Sequence, residues 1–282
     1  MKIQKINENI RIMANDTDKK IKKPNRIRFW IKLILTLVLF GAMLVLITFL
    51  PFFNVARIEV NGNLHYDAET YINAIEADVG DNGFKFISGG LLNILSFRYG
   101  RSELNILENY PYVKDVIVRY VIPDRVVIDV IERKPVVLVP YYGTYLVMDN
   151  EGYIVDSVKD PGDENLPVVR GFVFDNYEIG HALIVDNPQK IKQLVKLTSQ
   201  IRESDEVGGY TLSDKILFYD VNDINNILVT LNEELIVNLG DLRDLRYRLD
   251  TLKEILKSAL KNEKGLLDFT AGENPVFIQN YQ

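Results

Sequence analysis

Leu33 to Ala56 is a run of twenty-four residues without a charge, and no other stretch constrains the chain as strongly. A bilayer core of ~30 Å needs about 20 apolar helical residues to cross it, and no water inside it can satisfy loose backbone groups, so the crossing segment is helical. The flanks set its direction. Residues 1–32 hold ten Lys or Arg against three acids (Glu8, Asp16, Asp18), a net of +7; the whole chain carries −6, so the remainder carries −13. The bias that keeps positive segments inside puts a basic tail, residues 1–28, in the cytoplasm and a transmembrane helix over 29–54. Everything from Arg57 onward is then outside, as in a single-pass type II protein of the cell membrane. Phe29 and Trp30 at one end, and Phe52 and Phe53 at the other, suit interfacial positions. A cleaved signal peptide would have an apolar core of roughly 7–15 residues and a small-residue exit. A buried core helix would carry an apolar stripe rather than be apolar all round. Neither describes Leu33 to Ala56.

The outer portion is long enough to bury one or two cores without covalent staples. There is no cysteine, which excludes disulfides and thiolate metal sites. Its acidity argues against nucleic acid, which binds a basic face. The basic tail could touch anionic lipid but reads first as a topology signal.

Residues 55–135 read as a compact α+β unit. Val55 to Val60 is a strand with Ile58 and Val60 on one face, ended by a turn at Asn61-Gly62-Asn63. Asp67 caps a helix whose apolar stripe is Tyr71, Ile72, Ile75 and Val79, broken by Gly80 to Gly83. The stretch 84–101 contains an apolar run, Leu91 to Phe97, too short to span. It either packs over the domain or lies against the bilayer surface. A second helix runs from a Ser102 cap to Tyr110-Pro111. Two strands follow, with Val116, Val118, Tyr120 and Ile122 on one face of the first and Val126, Ile128 and Val130 on one face of the next. Pro123-Asp124-Arg125 links them, and Arg119, Asp129 and Arg133 point to water. The order predicts a three-stranded sheet backed by two helices.

Residues 136–282 predict a mixed β domain with two helices. Strands are expected at Val136–Val139, Tyr145–Met148 and Tyr153–Val155, then an extended path through Leu166 to Gly171. Asn187-Pro188 opens a helix with its stripe at Ile191, Leu194, Val195, Thr198 and Ile201, and a polar linker runs from there to Gly208-Gly209. Strands at Ile216–Tyr219, Ile227–Leu231 and Leu235–Leu239 precede the longest soluble helix, with Leu242, Leu245, Leu249, Leu252, Leu256 and Leu260 on one side. Leu266–Thr270 and Val276–Ile278 are terminal strands around an Ala271 to Asn274 turn.

Catalytic candidates are few. His65 and His181 have no second histidine at ligand spacing, and there is no H-E-x-x-H or G-x-S-x-G. Ser258-Ala-Leu-Lys261 matches S-x-x-K but sits late in an amphipathic helix with no K-T-G after it. Asp160 to Glu164 reads as a solvated loop with no aromatic sugar platform nearby, and Asp214, Asp220 and Asp223 lack a calcium-loop pattern. What remains is binding. Terminal strands often leave an open sheet edge, whose unpaired N–H and C=O groups can take up a strand from a partner.

Ile58, Val60, Gly62 and Asn63, then Pro111, Val113 and Val116, then Pro123, Val126, Ile128, Val130, Glu132, Arg133 and Pro135 resemble the POTRA domain of the FtsQ/DivIB cell-division family. Leu146, Met148, Asp149, Gly152 and Ile154, with Leu166-Pro167, Gly171, Val237 to Asp241 and Leu267 to Thr270, resemble that family's β domain. The departure is 84–101, longer and more apolar than the family leads one to expect. The resemblance implies a division-septum scaffold without catalysis, which recruits FtsB/DivIC-like and FtsL-like single-pass proteins and helps regulate septal wall synthases. By position it implies partner binding at Leu267, Asp268, Phe269, Thr270, Val276 and Phe277, with no cofactor. A membrane-anchored wall enzyme using Ser258, or a secretion module built on POTRA units, are the alternatives.

Overall fold

The computed structural model describes residues 26–232, 235–258, 264–272 and 274–279, in two compact units split between Asn54 and Val55. The first unit is a helix, α1 (Arg26–Thr48), followed by one turn of 3-10 helix at Pro51–Phe53. Its Arg28–Thr48 portion is apolar along nearly its whole length and has no buried residue. At about 1.5 Å per residue that portion is roughly 31 Å long, enough to cross a hydrocarbon core. The helix stops short of the expected residue 54 because Pro51, lacking an N–H, breaks the ladder.

The second unit begins with β1 (Arg57–Asn61), α2 (Ala68–Ala74), a one-turn α3 (Leu91–Leu95), α4 (Gly100–Asn109), β2 (Val113–Val121) and β3 (Arg125–Glu132). The sheet order is β1-β3-β2: β1 runs parallel to β3 over five registered pairs, and β2 is antiparallel to it. The alternation read from the sequence places Val116, Val118, Tyr120, Val126, Ile128 and Val130 in one core with Tyr71, Tyr99 and Ile106. Gly62 turns the chain out of β1 at φ +82°, and a Cβ there would lie 2.1 Å from the Val130 carbonyl oxygen, so only glycine fits. The expected stripe on α2 is shorter than its spacing suggested. The helix ends at Ala74, and Val79 stands exposed beyond it.

The described residues between 135 and 279 form a nine-stranded sheet. In chain order its strands are β4 (Pro135–Tyr141), β5 (Thr144–Asp149), β6 (Ile154–Val158), β7 (Val168–Arg170), β8 (Ile216–Asp220), β9 (Ile227–Leu231), β10 (Leu235–Gly240), β11 (Gly265–Asp268) and β12 (Val276–Gln279). Their spatial order is β12-β11-β10-β9-β8-β7-β4-β5-β6. Among the described residues this domain has two α-helices, α5 (Pro188–Gly208) and α6 (Leu245–Ser258). The Asn187 side chain caps α5 by accepting from Gln189 N–H at 3.0 Å, with Pro188 in the first turn. The polar stretch expected as a linker after Ile201 is helical, and α5 is longer than α6. Leu260 and Lys261 lie outside the described residues. Asp205 of α5 takes the N–H groups of Leu212 and Ser213, both at 2.9 Å, and pairs with Lys253 of α6 at 2.7 Å. Burial pushes the Asp205 carboxyl up, but these partners outweigh it and hold it below the usual carboxylate range.

The POTRA-like sheet and the β domain meet around Tyr112, which packs with Leu138, Val147 and Val155. His65 stacks on Tyr112 with ring centroids 3.5 Å apart. The expectation that Arg133 faces water is overturned. It is buried against Asp149 and lies 3.6 Å from the centroid of the Tyr153 ring. Arg119 and Asp129 do lie in the open, paired at 3.0 Å.

Candidate functional site: an open sheet edge

The nine-stranded sheet has two edges, and they differ. At the β6 edge a loop covers the start of the strand: Ile154 N–H donates to His181 C=O at 2.9 Å, and Gly180 N–H donates to Ile154 C=O at 2.7 Å. At the other edge β12 pairs only with β11, antiparallel from Gly265↔Gln279 to Asp268↔Val276. Among the described residues nothing pairs with its outer side. An uncovered strand of this kind presents main-chain donors and acceptors to another chain.

The local sequence explains how β12 comes to lie there. β10 and β11 run parallel, which requires a crossover, and α6 supplies it between them. The leucines at 245, 249, 252 and 256 bury α6 against the sheet, so β11 is laid beside β10 and β12 folds back outside it.

The six residues expected to bind a partner occupy different surroundings. Leu267 (2% exposed) and Phe269 (7%) are in the core with Val237 and Leu239. Phe269 N–H also donates to Asn238 C=O at 3.0 Å, extending the β10–β11 ladder. Asp268 accepts from both the N–H and the hydroxyl of Thr270 at 2.7 Å, which closes the turn after β11. Thr270 is exposed. Phe277 is half-buried against the core, and Val276 (45% exposed) faces out. Side-chain contact is therefore open to Val276 and Thr270 rather than to Leu267 or Phe269. Ile278, 43% exposed, shares the outer face of β12 with Val276; it lies in the expected edge strand Val276–Ile278 but outside the six residues that the resemblance implies.

The catalytic candidates are dispersed. Ser258 is exposed, with its hydroxyl donated to Glu254 C=O at 2.8 Å. No group of three or more His, Cys, Asp or Glu that could hold a metal occurs among the described residues. Asp160 has aromatic neighbours after all, since Tyr141, Tyr142 and Tyr145 line a shallow pocket with Lys159 to Pro161.

Known proteins give the fold its context. Residues 53–133 match the family model of the FtsQ-type POTRA domain. The chain is 26% identical over 229 residues to the cell division protein DivIB of Clostridium acetobutylicum, covering 81% of this chain and 84% of that one. It is 23% identical over 268 residues to the DivIB of Clostridium botulinum, covering 94% and 97%. The solved major extracytoplasmic domain of DivIB from Geobacillus stearothermophilus, in its trans isomer, overlaps 47% of this chain and 98% of that chain. The overlap is at 13% identity with a TM-score of 0.29, too loose to bear on the fold.

An apolar helix ahead of an FtsQ-type POTRA domain and a mixed β domain defines the class: a POTRA protein with one helix, among the described residues, long and apolar enough to cross a membrane. The chain is a relative of the FtsQ/DivIB cell-division proteins, and its role lies in cell division.

Proposed function

We propose that the chain is a bitopic scaffold of the division machinery, working by strand capture and catalysing no reaction of its own. Its basic tail lies in the cytoplasm, α1 crosses the membrane, and both outer domains face the wall. The β12 edge takes up a strand from an FtsB/DivIC-like protein and, with it, an FtsL-like one. That assembly holds these single-pass partners at the septum, where they influence wall synthases. The observation supporting this reading is a difference between the edges: residues 180–182 cap the start of β6 at Tyr153 and Ile154, whereas the outer side of β12 has no partner along its length among the described residues.

The test is a double substitution, Val276→Glu with Ile278→Glu, in the full chain. Both side chains are exposed, so circular dichroism and the melting temperature should hold while co-purification of the two partner proteins is lost. Undiminished co-purification would sink the edge as the docking site. Removing residues 264–282 is a poorer test, because it deletes β11 and uncovers the core around Leu267 and Phe269.

A further inference from the structure

The second unit carries an apolar surface that the division reading does not use. Leu91, Leu92 and Leu95 of α3 are 76, 78 and 71% exposed, and α3 buries none of its residues. Of the two readings of Leu91 to Phe97, packing over the domain therefore does not hold for the leucines of α3. The segment is anchored at half-buried Asn93, whose carbonyl accepts the Arg98 N–H at 2.8 Å, and at its end. Phe97 accepts Tyr120 N–H at its carbonyl at 2.9 Å, and its ring meets Phe84 edge-on. That leaves the three leucines in water, a costly arrangement for a surface that is not otherwise covered.

The place of α3 in the fold decides what covers it. Tyr120 lies at the end of β2 that turns through Pro123 into β3. The chain comes into the unit at this same end: Val55 N–H donates to Asp81 C=O at 2.8 Å, and Ala56 N–H donates to Asp124 C=O at 2.7 Å. Val79 and Ile122, beside those two contacts, are exposed as well. Residues 49–54 alone separate Thr48, the last residue of α1, from Val55. Fully extended, such a tether reaches at most roughly 25 Å. Val55, at the end of the sheet that bears the leucines, is thus tethered within that reach of Thr48.

We propose that α3 is a membrane-contact element: Leu91, Leu92 and Leu95 enter the outer leaflet's interface and seat the POTRA domain on the lipid. The occupant is the bilayer itself. At this end Asp81 pairs with Lys85, Glu59 with Arg57 and Arg125, and Glu103 with Arg98, while Asp78 and Asp124 offset Arg101, so the charges balance and the contact is apolar and independent of headgroup charge. This rests on α1 crossing the membrane, which vesicle flotation of the same preparation checks separately.

The absence of native cysteine makes the test clean. Leu92→Cys and, as control at the opposite end of the sheet, Leu64→Cys are each labelled with an environment-sensitive fluorophore in the full chain, reconstituted in phosphatidylcholine vesicles. The label at 92 should be blue-shifted and quenched several-fold more by brominated lipid than the label at 64. Adding Leu91→Ser and Leu95→Ser should reduce that quenching, and phosphatidylglycerol should leave it unchanged. Equal quenching at the two positions overturns the proposal. So does a blue shift that brominated lipid does not touch, which means protein cover, or quenching that appears only with anionic lipid. Failure to float overturns the spanning role of α1 instead.

Discussion

Arg133 Nη1 lies 2.7 Å from Asp149 Oδ2, and the two side chains are 9% and 1% exposed. The arginine follows the last strand of the POTRA sheet, and the aspartate ends β5 of the β domain. Asp149 also accepts the N–H groups of Glu151 and Tyr153 at 2.8 Å, so one carboxylate both builds the β5–β6 turn and ties that turn to the neighbouring domain. Glu151 reaches back as well, to Arg133 at 3.4 Å and to Lys114 at 2.5 Å.

Breaking that pair from one side leaves a buried charge without compensation. Arg133→Ala should lower stability by about 3–5 kcal/mol in urea denaturation. Arg133→Met with Asp149→Asn should recover part of the loss, because neither partner is then charged. A loss under about 1 kcal/mol for Arg133→Ala would show that the pair is not desolvated in solution.

Glu132, one residue earlier, does a different job. Its carboxylate accepts from Leu64, His65 and Tyr66 N–H at 2.6, 2.5 and 3.2 Å and from the Tyr71 hydroxyl at 2.5 Å. Burial pushes this carboxyl up, but the four donors outweigh it and hold it below the usual carboxylate range, while the Tyr71 hydroxyl is pushed up, first by burial. A carboxyl depressed by folding contributes stability above its unfolded pKa and loses that contribution as pH falls through the folded value. Glu132→Gln should therefore destabilise by about 1–3 kcal/mol at neutral pH. Its stability should also fall less steeply than the wild type's below roughly pH 5. Parallel acid limbs would refute the assignment.

Gly62→Ala should be among the more damaging single-methyl additions. The left-handed conformation alone costs about 1–2 kcal/mol for a residue with a Cβ. The approach to the Val130 carbonyl adds to it, so the melting temperature should drop by several degrees. An unchanged melting temperature would mean that the β1–α2 turn rearranges freely.

Orientation is checked by proteolysis. Protease added to intact spheroplasts should digest the chain beyond Arg57 and spare the basic tail. Survival of the outer domains under that treatment would reverse the topology.

Where local pattern decides structure, the sequence was readable. The alternation of Val116, Val118 and Tyr120 against Val126, Ile128 and Val130 marks a hairpin, and Asn187-Pro188 marks a helix start whatever surrounds it. The charge-free run from Leu33 marks α1 without reference to any neighbour. Distant partners were not readable. Arg133 reads as a surface residue until Asp149, sixteen positions on, is seen to face it. Leu267 and Phe269 look like candidates for contact because they are terminal and apolar. The parallel crossover through α6 is what turns them inward and moves the free edge outward to β12. Leu91 to Leu95 was open to two readings because hydrophobicity says that a surface seeks cover, not what will provide it.

The parallel pairing of β1 with β3 has a mechanical consequence. If α1 spans the membrane as proposed, a pull from the bilayer reaches the unit at Arg57 and leaves the POTRA sheet at Glu132, the far end of β3. The load then runs along both strands and crosses between them at five rungs together, in shear rather than by peeling one rung at a time. A pull between those two ends is by this arrangement taken along the sheet's most resistant direction.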